Sequence, residues 1–121
     1  MPIKKVLVVD DSPTERYVLV DTLKKHGFEA DTAENGEEGI AKAKAGHPDL
    51  ILMDVVMPGV NGFQVTRTLS RDADTKDIPV IMCTSKGQET DRVWGMRQGA
   101  VAYLVKPIAA ADLLDKIKSL A

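Results

Sequence analysis

Asp49-Leu50-Ile51-Leu52-Met53-Asp54-Val55-Val56-Met57-Pro58-Gly59 is the stretch that decides how the rest of this chain is read. Leu50 to Met53 is an unbroken apolar run, the pattern of a strand buried on both faces rather than one with a wet side. It stops at a carboxylate, and Pro58-Gly59 then turns the chain, so Asp54 emerges at the end of the strand. An acid removed from water on its own is strongly disfavoured, so Asp54 must be solvated, paired or set against a cation.

Working outward, two more runs resemble this one. Val6-Leu7-Val8-Val9 ends in Asp10-Asp11, and Val80-Ile81-Met82-Cys83 ends in the hydroxyls Thr84-Ser85. Two weaker runs flank them. Phe28 to Ala33 alternates and carries Glu29 and Asp31, which suits an edge strand, and Val101 to Val105 is closed by Lys106-Pro107.

Helical patterns fill the gaps. Ser12-Pro13-Thr14-Glu15 combines capping-box spacing with a proline at the first helical position, and Leu19, Val20 and Leu23 form a buried stripe that Gly27 ends. Asn35-Gly36 is expected to turn the chain into a helix from Glu37 to Lys44, broken by Gly46-His47-Pro48. Phe63, Val65 and Leu69 mark a third, shorter helix with a polar exit from Arg71 to Asp77. The fourth, Glu89 to Gln98, is poorly amphipathic: Val93, Trp94 and Met96 share no stripe and Gly95 interrupts it, so part of its apolar surface should be exposed. Leu113, Leu114, Ile117 and Leu120 line the last helix.

Five strands alternating with five helices predict an α/β domain, doubly wound around a parallel sheet with right-handed crossovers. With the three strongest runs central and the two weaker ones at the edges, the order is 2-1-3-4-5. Ligands of such sheets gather at the carboxyl ends of the strands near the switch in winding direction, here between the first and third strands. Those are the two strands that end in acids.

Composition narrows the rest. At 121 residues, positions 1–121 are read as a single domain. A net charge of −2 with interspersed signs gives no footprint for nucleic acid or a membrane surface, and no apolar run is long enough to span a bilayer, so a cytoplasmic protein is expected. The single cysteine, Cys83, lies in a core run, and His26 and His47 show no ligand spacing, which sets aside a zinc site.

The carboxyl ends of four strands thus present Asp10-Asp11, Asp54, Thr84 and Lys106-Pro107. Taken singly, each is ordinary: a strand-end acid, a turn hydroxyl, a surface base. Together, three carboxylates repel one another and call for a cation. Hard oxygen ligands without imidazole or thiolate favour magnesium or manganese. A metal, an ammonium and a hydroxyl around one carboxylate are what phosphoryl transfer to that carboxylate needs.

At these residues the chain resembles the response-regulator receiver domain. The joint occurrence of Asp10-Asp11, Met53-Asp54 followed by Met57-Pro58-Gly59 and Asn61-Gly62, then Thr84, Tyr103 and Lys106-Pro107, carries the resemblance along the whole sequence. Ser12 to Glu15 and the stretches Glu89 to Gly95 and Arg97 to Ala100 look like the stand-alone regulators of twitching motility within that family. The resemblance implies the flavodoxin-like, CheY-like fold and a phosphorelay role in motility or taxis signalling. Asp54 is then the phospho-acceptor of a histidine kinase. Magnesium is held by Asp11, Asp54 and the backbone carbonyl of Val56, with Asp10 assisting. Thr84 and Lys106 hold the phosphoryl oxygens, and the bond before Pro107 is cis. Thr84 moving towards the phosphoryl group lets Tyr103 swing inward and changes a face on which Arg92, Met96 and Tyr103 meet a protein target. The chain is expected to be a monomer that catalyses only its own phosphorylation and dephosphorylation.

Two other functions compete. A phosphate sink would share the chemistry but bind no target. A magnesium-dependent phosphatase acting on small molecules usually carries a second Asp two residues after its nucleophile, where this chain has Val56.

Overall fold

The computed structural model describes residues 3–120. Strands β1 (Lys5–Val9), β2 (Glu29–Ala33), β3 (Leu50–Met53), β4 (Val80–Thr84) and β5 (Ala102–Val105) alternate with helices α1 (Pro13–Lys25), α2 (Gly36–Gly46), α3 (Gly62–Arg71), α4 (Glu89–Arg97) and α5 (Ala110–Leu120). All strand pairs are parallel and the order is β2-β1-β3-β4-β5, as the apolar runs predict.

The continuous runs are explained by the two cores they serve. Successive side chains of a strand point to opposite faces. Leu7, Val9, Ile51, Met53, Val80 and Met82 pack with Ala43 of α2 and with Val65 and Leu69 of α3. Their neighbours Val6, Val8, Leu50, Leu52, Ile81 and Cys83 pack with Leu19 and Leu23 of α1 and with Leu113 and Ile117 of α5. A polar residue inside β1, β3 or β4 would therefore enter one core or the other, whereas edge strand β2 leaves Glu29 and Asp31 in water. Burial pushes the Cys83 thiol up to about 12, in keeping with a core residue rather than a nucleophile.

Local details differ from the sequence expectations at three places. Asn35 does not form a free turn with Gly36: it is the N-cap of α2, its side chain accepting from the Glu38 amide at 2.8 Å. At the other end, Gly46 stays in the helix and His47 takes the left-handed conformation, at φ 45°. The exit from α3 is not purely solvated either. Thr75 is buried and its hydroxyl donates to the Leu69 carbonyl at 2.7 Å, pinning the loop to the helix end. Among the described residues no helix is long and apolar enough to cross a membrane.

Candidate functional site

Parallel register brings the predicted residues together. The ladder continues one step past the strands: the Asp10 amide donates to Ala33 O at 3.1 Å, that of Asp54 to Val9 O at 2.9 Å, and that of Lys106 to Thr84 O at 2.8 Å. Asp10 and Asp54 therefore stand side by side at the mouths of β1 and β3, 1 % and 6 % exposed. Lys106 arrives from β5, and its peptide bond to Pro107 is cis, as expected.

The Lys106 ammonium is the hub. Its Nζ donates to Asp10 Oδ2 at 2.7 Å and to Glu15 Oε2, and lies 3.4 Å from Asp54 Oδ2. The other oxygens of Asp10 and Asp54 also have partners. Asp10 Oδ1 accepts from the Ser12 amide at 2.9 Å, and Asp54 Oδ1 from the Val55 amide at 2.8 Å. Arg16 adds a guanidinium donating to the Asp10 carbonyl at 2.7 Å.

Burial pushes the Asp54 carboxyl above its ordinary value. Lys106 pulls it down and the neighbouring charge of Asp10 pushes it up again, so the balance stays upward. For Lys106, burial opposes the charge, but the bonds to Asp10 and Glu15 and the field of Asp54 outweigh it, and the ammonium is held more firmly protonated than usual. One cation is thus shared among three acids.

Carboxylate oxygens of Asp10, Glu15 and Asp54 all lie within 4.8 Å of one another. With one ammonium among them they leave an excess of negative charge. No imidazole or thiolate belongs to the group, so the donor set fits a hard divalent cation such as Mg2+. Asp11, expected as a direct ligand, is exposed and lies outside this group of three, and Val56 is exposed beside the crevice.

Glu15 is the residue that sequence reasoning missed. As a helix N3 residue it invites the reading of a capping-box partner for Ser12. The box is only half formed: Ser12 Oγ accepts from the Glu15 amide at 3.3 Å, but the Ser12 amide is already taken by Asp10. The Glu15 carboxylate is left free to reach Lys106. Gly62, which enters the sequence pattern only as part of Asn61-Gly62, has a packing role as well. A Cβ there would lie 1.9 Å from the Asp54 carbonyl oxygen, so glycine lets α3 start directly against the Asp54 backbone.

One strand over from Asp54, at the end of β4, Thr84 is fully buried. Its Oγ1 accepts from the Lys86 amide at 3.3 Å, while the Tyr103 hydroxyl donates to the Lys86 carbonyl at 2.6 Å. One peptide residue therefore ties Thr84 to Tyr103. The Tyr103 ring stands inward, 4 % exposed, with its hydroxyl pushed up to about 12, chiefly by burial and then by the charge of Asp91. The Arg92 guanidinium lies 5.5 Å from the ring centroid and donates to the Tyr103 carbonyl at 3.2 Å. Gly95 lets α4 rest on the ring, since a Cβ there would be 3.0 Å from two ring carbons. Above it, Trp94 and Met96 are 48 % and 44 % exposed, the uncovered apolar surface expected of this helix. Of the three residues expected to meet a target, Arg92 and Met96 are exposed, whereas Tyr103 in this position acts on the face from beneath.

Comparison with known proteins agrees with this geometry. Residues 6–118 match the model of the response regulator receiver domain. The chain is 56 % identical to the protein PilH of Pseudomonas aeruginosa over 115 residues, covering 95 % of each chain. It is 37 % identical to the phosphate regulon transcriptional regulatory protein PhoB of Escherichia coli, spanning 96 % of this chain and 51 % of that longer protein. The chemotaxis protein CheY4 of Vibrio cholerae superposes with a TM-score of 0.91 at 34 % identity, over 98 % of this chain and 99 % of that one.

Proposed function

This chain belongs to the response regulator receiver domain family, and from that premise we propose that Asp54 accepts a phosphoryl group from the phosphohistidine of a histidine kinase. The bond from phosphorus to the imidazole nitrogen breaks as one from phosphorus to an Asp54 carboxylate oxygen forms. The observation that carries the reading is the placement of Asp54: a buried carboxylate at a strand mouth, 3.4 Å from an ammonium and beside a second buried acid.

Each neighbour has a task. Asp11, Asp54 and the Val56 carbonyl, with Asp10 assisting, would hold magnesium, which when bound neutralises charge on the transferred phosphoryl oxygens. Lys106 supplies a fixed positive charge to those oxygens, and Thr84 a hydroxyl donor. The uncharged, water-poor floor of Met53 and Met82 beneath them strengthens these interactions.

The signal leaves through Thr84. Turning its hydroxyl towards the phosphoryl group weakens its hold on the Lys86 amide, and Lys86 is also the anchor of Tyr103. The α4–β5 face with Arg92, Met96 and Trp94 is then altered for a protein target. Such a switch requires only that the phosphoryl group prefer one Thr84 position over another. Extensive similarity to PilH supports a role in twitching motility; that the chain acts there as a monomeric cytoplasmic regulator is part of the same proposal.

The test is phosphorylation by a small acyl phosphate in magnesium, read by intact mass. The native chain should gain one base-labile phosphoryl group and Asp54→Asn none. Stoichiometric uptake by Asp54→Asn would overturn the assignment.

A further inference from the structure

We propose that Glu15 is a positioning residue that tethers the Lys106 ammonium on the Asp10 side of the crevice and thereby restrains phosphoryl uptake by Asp54. The proposal rests on Asp54 being the phospho-acceptor. Among the three acids around Lys106, the acceptor is the most loosely engaged: its oxygen lies 3.4 Å away, against 2.7 Å for Asp10, and Glu15 is in direct contact.

The two tethering acids differ in kind. Asp10 is buried and fixed through the Ser12 amide, so its grip on Lys106 is a constant feature of the crevice. Glu15 reaches in from the first turn of α1 with a side chain 44 % exposed. With Val18, Leu19, Pro107 and Ile108 it borders a groove of about 220 Å³ that opens to solvent beside Lys106. Its backbone is fixed by the Ser12 hydroxyl, but its carboxylate has somewhere to go.

Phosphoryl oxygens arriving on Asp54 need the ammonium that Glu15 holds. They also meet the Glu15 charge, which lies within 4.8 Å of an Asp54 carboxylate oxygen. Both effects act in the same direction, against uptake. A half-exposed ion pair of this kind is a modest restraint, enough to set a rate without closing the site.

Glu15→Gln removes the charge and weakens the tether while keeping the length of the side chain. Glu15→Asp keeps the charge but is one methylene too short to hold Lys106. Each variant is first titrated with magnesium and then compared with the native chain at saturating magnesium, using a small acyl phosphate. Glu15→Gln should be phosphorylated roughly two- to fivefold faster. Its affinity for beryllofluoride, read from amide shifts, should rise in the same proportion. Damage to the fold would slow uptake, so a gain in rate cannot come from that source. Glu15→Asp should fall nearer to Glu15→Gln than to the native chain. A Glu15→Gln rate or beryllofluoride affinity at or below native, or a Glu15→Asp rate nearer to native, would overturn the tether. A native chain that takes up no phosphoryl group would instead overturn the assignment of Asp54.

Discussion

The mouth of β1 and β3 and the face of α4 over β5 lie at neighbouring positions on one sheet yet are built in opposite ways. At the first, charge is concentrated and buried: Asp10 and Asp54 are almost out of contact with water, and one lysine serves three acids. At the second, apolar surface is left in water, with Trp94 and Met96 about half exposed above a buried tyrosine. The first arrangement makes the site sensitive to any added or removed charge. The second gives that sensitivity something to act on, because uncovered aromatic and methionine side chains are favoured at protein contacts. From the end of β4, Thr84 is joined to the tyrosine through the backbone of Lys86, whose amide donates to the Thr84 hydroxyl and whose carbonyl accepts from the Tyr103 hydroxyl.

The contrast can be broken most severely from the crevice. Gly62→Ala would drive a methyl group into the Asp54 carbonyl and the Val55 Cα, both backbone atoms that cannot step aside. We expect a loss of about 3 kcal/mol or more in urea unfolding, with the Asp54 loop displaced. A cost below about 1 kcal/mol would show that this loop yields more easily than its packing implies.

Asp54→Asn has the opposite sign. Because burial raises the folded-state pKa of Asp54 above the ordinary 3.8, its ionised form weakens the fold. That cost is present in full above the raised value and vanishes as pH falls below 3.8. The Asn variant should therefore melt at a higher temperature at neutral pH, with the gain shrinking in acid. An equal gain at all pH values would mean that packing rather than charge is responsible.

Smaller effects sharpen the other side. Tyr103→Phe leaves the Lys86 carbonyl without its donor and should cost about 1 kcal/mol. Arg92→Ala removes an exposed cation lying over the ring and a bond to the Tyr103 carbonyl, and should cost roughly 0.5–1 kcal/mol. In both variants the near-ultraviolet circular dichroism should change while that of an Arg16→Ala control, at the crevice, should not change in the Tyr103 band.

What the sequence makes legible follows the same division. Leu50 to Met53 and its two counterparts could hardly be anything but central strands, because both their faces need apolar cover. Their shared ending in polar residues places Asp10, Asp54 and Thr84 at one edge without further information. Glu15 was hidden because helix N3 acids are usually explained by local capping, and nothing in Ser12-Pro13-Thr14-Glu15 shows that Asp10 has already claimed the Ser12 amide. Thr75 was hidden for a similar reason, a lone hydroxyl in a polar stretch whose partner lies six residues back at Leu69. Asp10 and Asp11 are adjacent in sequence, but only the fold separates the buried acid from the exposed one. The inward tyrosine depends on Gly95 and on Lys86, contacts that periodicity along α4 cannot reveal.

If the crevice and the α4–β5 face act as one switch, amide spectra with and without beryllofluoride in magnesium will report it. Shifts should appear around Asp54, at Thr84 and Lys86, and onward from Arg92 to Tyr103. Shifts confined to the loops around Asp54, with Arg92 to Tyr103 silent, would contradict it.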